Sequence, residues 1–185
     1  MSNSTTITKQ SLSVKKQTLA SVITVIMAVA LPQIIHVMGH VSGLGTSLGE
    51  IFLPMHLPII LAGLIAGPYV GAISGMLSPL LSFALTGMPT SIMLPFMMIE
   101  LCAYGLISGL LKNSKLPCIA KVLTAQIGGR VLRAVSIFTA VYAFGHETLS
   151  LDIILTSITT GIFGIVLQWL LIPLVTYRLE NKNEK

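Results

Sequence analysis

Three charged side chains of this sequence sit where charge is expensive. Glu100 lies within an apolar run at about 91–111, and Arg130 and Arg133 lie within another at about 119–144. A lone carboxylate or guanidinium at the centre of a bilayer costs at least about 2.5 kcal/mol on insertion scales, so each is expected to face a protein interior and find a partner. Glu100 is about ten residues from the outer end of its run and Arg133 about eleven from the outer end of the next. At a rise of about 1.5 Å per residue both lie about 15 Å deep and can meet. Arg130 precedes Arg133 by one helical turn and shares its face, and Gln126 continues the stripe. Two guanidiniums against one carboxylate leave a surplus positive charge. That surplus could attract an anionic or carbonyl-rich ligand. Alternatively the pair is structural and the second arginine reaches towards the cytoplasmic side.

Histidine supplies a second set of candidates. His36 and His40 stand at i, i+4, a spacing that lets two imidazoles reach one metal from a helix, and His56 could add a third ligand. No cysteine or acidic cluster surrounds them apart from Glu50, so no metal site and no cofactor is assigned. Nucleophilic and acid–base catalysis lack their parts. There is no Ser/His/Asp set at a common depth, no pair of carboxylates and no glycine-rich phosphate loop with a following lysine. The chain does not read as an enzyme. Met93, Met97 and Met98 could wall a pocket for an irregular ligand, since methionine adapts to shape. Aromatic residues make up 6% of the chain and the single tryptophan is Trp169, so a stacked aromatic clamp is not evident. The candidate ligand-contacting residues are therefore His36, His56, Met93, Met97, Glu100, Arg130 and Arg133.

The elements that must position them are membrane helices. Of 185 residues 54% are hydrophobic and only 9% charged, with a mean hydropathy of +0.90, against about 25% charge in a soluble domain. At about 20 residues per span the length accommodates six helices and no soluble catalytic domain. The expected spans are about 17–38, 55–66, 69–85, 91–111, 119–144 and 149–177, forming a membrane domain over 17–178 between tails at 1–16 and 179–185. The first run reads as a retained helix, not a cleaved signal. Lys9, Lys15 and Lys16, then Lys112, Lys115 and Lys121, then Arg178, Lys182 and Lys185 fall on one side of such a path, which puts both termini in the cytoplasm. Glu50, Glu147, Asp152 and all four histidines, His146 included, then fall outside, as would the long glycine-rich loop 39–54. This looks like a bundle that accepts a solute from outside. The net charge of +5 follows from the loop bias and does not call for nucleic acid.

Ala20, Thr24 and Ala28 form a four-residue strip of small side chains on the first helix, a surface that lets another helix approach closely, either within the bundle or from a partner. Gly71 with Gly75 and Gly105 with Gly109 repeat the spacing and are read as packing within the bundle. Cys102 and Cys118 lack metal-ligand spacing and read as packing residues.

The stretch FLPMHLPIILAGLIAGPYVGAISGMLSPLLSFALTGMP, Phe52 to Pro89, together with IELCAYGLISGLL early in the fourth helix, resembles the substrate-binding (S) components of energy-coupling factor transporters, vitamin uptake systems of Gram-positive bacteria. The resemblance implies a six-helix subunit in the plasma membrane that captures a vitamin or its precursor from outside. The loop after the first helix would act as a lid, and the outer halves of the last three helices would form the pocket. The strip Ala20, Thr24, Ala28 would dock on a transmembrane coupling subunit driven by two cytoplasmic ATPases, and transport would proceed by toppling of the S component. The methionine-lined pocket favours cobalamin or another corrinoid, followed by pantothenate, hydroxymethylpyrimidine or pyridoxine. A structural or regulatory subunit without ligand and a transition-metal permease using the outer histidines are the competing readings.

Overall fold

A computed structural model describes residues 13–45, 47–144 and 151–183, and these are helical with no strand among them. The helices are α1 (Val14–Val41), α2 (Ser47–Phe52), α3 (His56–Ala66), α4 (Pro68–Thr86), α5 (Leu94–Leu111), α6 (Cys118–Phe144), α7 (Asp152–Thr160) and α8 (Ile162–Asn183). Among the described residues, five stretches are long and apolar enough to cross a membrane: Val14–Val41, Ser47–Ala66, Pro68–Thr86, Leu94–Leu111 and Ile162–Leu179. The 27-residue α6 is not among them. Arg130 and Arg133 interrupt its apolar character.

Two expectations from the sequence need correction. The loop 39–54 is not a plain loop: α1 continues to Val41, so His40 is helical, and Ser47–Phe52 forms α2. The sixth expected helix is broken at Gly161 into α7 and α8. The turn at His146 and Glu147, Lys9 in the first tail and Lys185 in the last lie outside the described residues.

Local chemistry explains the tight α3–α4 turn. Gly67 adopts φ 109°, open to glycine because it has no Cβ, and Pro68 then starts α4 with its ring preset for a helix. From there α4 packs along α5 by direct backbone contact. A Cβ on Gly71 would strike the backbone of Gly105, a Cβ on Gly105 would strike Gly71, and one on Gly75 would strike the Leu101 carbonyl. Small residues at an interface buy this proximity, which in lipid replaces the hydrophobic drive available in water. Across the seam α3 is buried through most of its length. Ile59, Ile60, Leu61 and Leu64 join Leu101, Tyr104, Val122, Ile172 and Ala28 in the core. Lysine closes one end of this layer: Lys112 Nζ donates to the Ile65 carbonyl and Lys121 Nζ to the Lys112 carbonyl at 2.9 Å. These carbonyls stand at helix C-termini, where intrahelical partners run out.

The small strip of α1 serves this bundle. Ala28 is 0% exposed, Thr24 is buried with its hydroxyl on the Ala20 carbonyl, and Ala20 is half-buried. The helix packs against α4 and α3, and Ser74 of α4 donates to the Ser21 carbonyl at 3.4 Å. The face of α1 turned outward instead bears Leu19, Val22, Ile23, Ile26 and Met27.

Candidate functional site

Glu100 is the centre of the polar interior. It is 0% exposed, and two donors converge on it. Tyr104, one turn along α5, donates its hydroxyl to Oε1 at 2.8 Å, and Arg133 of α6 donates Nη1 to Oε2 at 2.8 Å. His56, in the first turn of α3, brings Nε2 to 3.9 Å from Oε1 and stacks at a tilt on the Tyr104 ring, with centroids 5.3 Å apart. Three helices therefore meet at one carboxylate. The close fit has a backbone cause: Gly129 of α6 faces the Tyr104 ring and the Glu100 carbonyl, where a Cβ would not fit.

Arg130 is held differently. Its Nη1 donates to the Ser157 carbonyl near the end of α7 at 3.4 Å, a long and weak bond. A narrow cleft runs between α6, with Arg130, Arg133, Ala134 and Ile137, and α7, with Ile154, Ser157 and Ile158. Among the described residues, five buried side-chain nitrogens have no hydrogen-bond partner: both of the His56 ring, the Nε atoms of Arg130 and Arg133, and Nδ1 of His36. Buried polar groups are almost always satisfied, so four orphans around one carboxylate point to a site with hydrogen bonds still to offer.

Of the seven candidate residues, His56, Glu100 and Arg133 come together, and Arg130 shares the cleft with Arg133. The pairing of Glu100 with Arg133, inferred from depth alone, is present. Met97 packs against the main core and Met93 against Phe96 and Ile137, so both methionines are packing groups in this arrangement. His36 is elsewhere, its ring against Gly49 of α2. His40 is exposed, and no three of His, Cys, Asp or Glu gather among the described residues. The histidine trio of a metal permease does not converge there.

Several members were missed. Tyr104 was legible as the i+4 neighbour of Glu100. Gln168 was legible as the only amide in the apolar run of α8. It accepts from Gln126 at 2.8 Å, and Gln126 in turn accepts from the Trp169 indole at 2.7 Å. Ser157 acts through its carbonyl, and no side-chain pattern announces that. Cys118 contacts Thr176, Sγ to Oγ1, at 3.3 Å, and both cysteines are free.

Chemically the cluster can bind and orient: it offers guanidinium donors, an imidazole and a fixed carboxylate in a space that excludes most water. The family model described as ECF transporter, substrate-specific component, matches residues 15–177. Neither the curated proteins nor the solved structures yield a match.

Proposed function

Since the chain belongs to the substrate-specific components of ECF transporters, transport subunits and not enzymes, we propose that it binds a small water-soluble solute bearing one anionic group, best a carboxylate, at the Glu100–Arg133–Arg130 cluster. The observation that carries this reading is the unequal commitment of the two arginines. Arg133 is paired with the Glu100 carboxylate at 2.8 Å, whereas among the described residues Arg130 has a 3.4 Å bond to a neutral carbonyl. A carboxylate matches a guanidinium in charge and fork geometry and would displace that weak partner.

Among vitamins this puts pantothenate ahead of the neutral hydroxymethylpyrimidine and pyridoxine. The narrowness of the cleft and the packed state of Met93 and Met97 count against a corrinoid such as cobalamin. In this reading six spans, α6 included, cross the plasma membrane with both termini inside. The solute enters from the opposite face, and the complex is completed by a transmembrane coupling subunit and two ATPases.

Binding measured by calorimetry on the full chain in lipid nanodiscs tests it, with pantothenate, hydroxymethylpyrimidine, pyridoxine and cobalamin as the panel. Pantothenate should bind about one to one. Arg130→Gln should weaken it by about ten- to a hundredfold, the worth of one charge-assisted hydrogen bond. Preference for a neutral member, or an Arg130→Gln variant of unchanged affinity, overturns the anion assignment. If no member of the panel binds, the cluster is a structural ion pair.

A further inference from the structure

An indole N–H can only donate. Trp169 Nε1 donates to Gln126 Oε1 at 2.7 Å, which commits the oxygen of that amide and turns its NH₂ group to Gln168 Oε1 at 2.8 Å. The Gln168 amide is fixed in the same way. With its oxygen accepting from Gln126, its NH₂ faces the Leu53 carbonyl at 3.4 Å. A flip of either amide would set donor against donor along the chain. Both glutamines are buried, so a flip would leave unsatisfied groups worth about 1–3 kcal/mol each. One unambiguous donor thus polarises three links, and the last link is a donor aimed at backbone outside α6 and α8.

The place where the chain ends gives it a role. Leu53 has φ 48°, uncommon for a residue with a Cβ, and makes the bend between α2 and α3. Its carbonyl also accepts the His56 backbone N–H at 3.1 Å. The atom that Gln168 reaches is therefore the one that starts α3 and sets His56 beside Glu100. Below it, α8 and its junction with α7 offer a glycine seat. A Cβ on Gly164 would strike the Phe52 carbonyl, and one on Gly161 would strike the Leu53 side chain. A closed circuit of contacts results: hydrogen bonds run from Gln126 through Gln168 and the Leu53 carbonyl to the His56 backbone, His56 Nε2 then approaches Glu100 at 3.9 Å, and the Glu100–Arg133 pair returns to α6.

We infer that Gln168 is a positioning residue of the binding site: through the Leu53 carbonyl it holds the Ile51–Leu53 segment on its glycine seat and sets His56 against Glu100, and release of that segment opens the site. The inference rests on reading the cluster as a ligand site, but its test uses no ligand, so the two can fail separately.

Met55, 5% exposed and directly beyond the segment, is the reporter position. In the full chain in nanodiscs, with Cys102 and Cys118 replaced by Ala and Met55→Cys introduced, the rate of labelling by a membrane-impermeant maleimide reads the opening. Gln168→Met, which keeps the volume and removes the amide, should label about threefold faster, the low end of the worth of one hydrogen bond, because the 3.4 Å contact is long. Trp169→Phe should accelerate labelling by a smaller factor in the parent and add nothing to Gln168→Met, because the relay is already cut. An unchanged rate in Gln168→Met, or an equal effect of Trp169→Phe in both backgrounds, overturns the inference. If Gln168→Met does not yield monodisperse protein, Gln126→Met breaks the same chain one link earlier, and an unchanged rate there overturns the inference equally.

Discussion

The α4–α5 seam and the α6–α8 side of the bundle are held by different forces. Along the seam, Gly71, Gly75 and Gly105 bring two backbones into contact and leave no side chain to adjust. On the other side, contact is made by guanidiniums, amides and an indole reaching across to carbonyls and to one carboxylate. The first arrangement tolerates no added volume and is indifferent to polarity. The second tolerates changes of shape and responds sharply to a lost donor or acceptor. α5 belongs to both, with Gly105 on the rigid face and Glu100 and Tyr104 on the polar one. A binding protein needs this division: a frame that does not deform, and beside it a surface whose hydrogen bonds can be exchanged for those of a ligand at small net change in free energy.

The largest test of that contrast is Gly105→Leu. Four carbon atoms cannot be placed where one already collides with the Gly71 backbone, and the strain should exhaust a stability of about 5–15 kcal/mol. No monodisperse protein should be recovered in detergent. A well-folded variant would show that the seam can part. Next is Glu100→Leu, which strands Arg133 in the interior and should lower stability by about 3–5 kcal/mol, read as a shift of the denaturation midpoint. A shift no larger than that of an exposed leucine replaced by alanine would mean that the guanidinium finds another partner. The smallest is Tyr104→Phe, which keeps the ring against His56 and removes one donor to a carboxylate. About 1.5–3 kcal/mol is expected, and a null result would assign the 2.8 Å contact to packing alone.

What could be read from the sequence followed from physical necessity. Membrane insertion forces an apolar run around each span and a partner for each buried charge, so the helix positions and the Glu100–Arg133 pairing follow from residue type and depth. The break at Gly161 does not. A glycine inside an apolar run is tolerated as often as it ends a helix, and here the Leu53 side chain against it is a contact from more than a hundred residues away. Helix α2 was hidden for a related reason. SLGEIF is too short to show a period, and its place is set by contacts with His36 and α8. The position of Arg130 outside the Glu100 pair was legible only by subtraction, as the arginine left over after pairing. Its resting partner is a backbone carbonyl, which any residue supplies and no sequence pattern marks.

Helix α6 is 27 residues long and α5, packed beside it, is 18. At about 1.5 Å per residue they measure about 40 Å and 27 Å, on either side of a hydrocarbon thickness near 30 Å. In the proposed six-span arrangement, two neighbours of such unequal length cannot both match one bilayer. The longer must tilt or project, and the lipid around the pair must stretch or thin at a cost of fractions of a kcal/mol per ångström. The helix that carries both arginines is thus the one whose angle depends on acyl-chain length. On the proposed reading, membrane thickness becomes a variable of the binding site, one that a detergent micelle would remove.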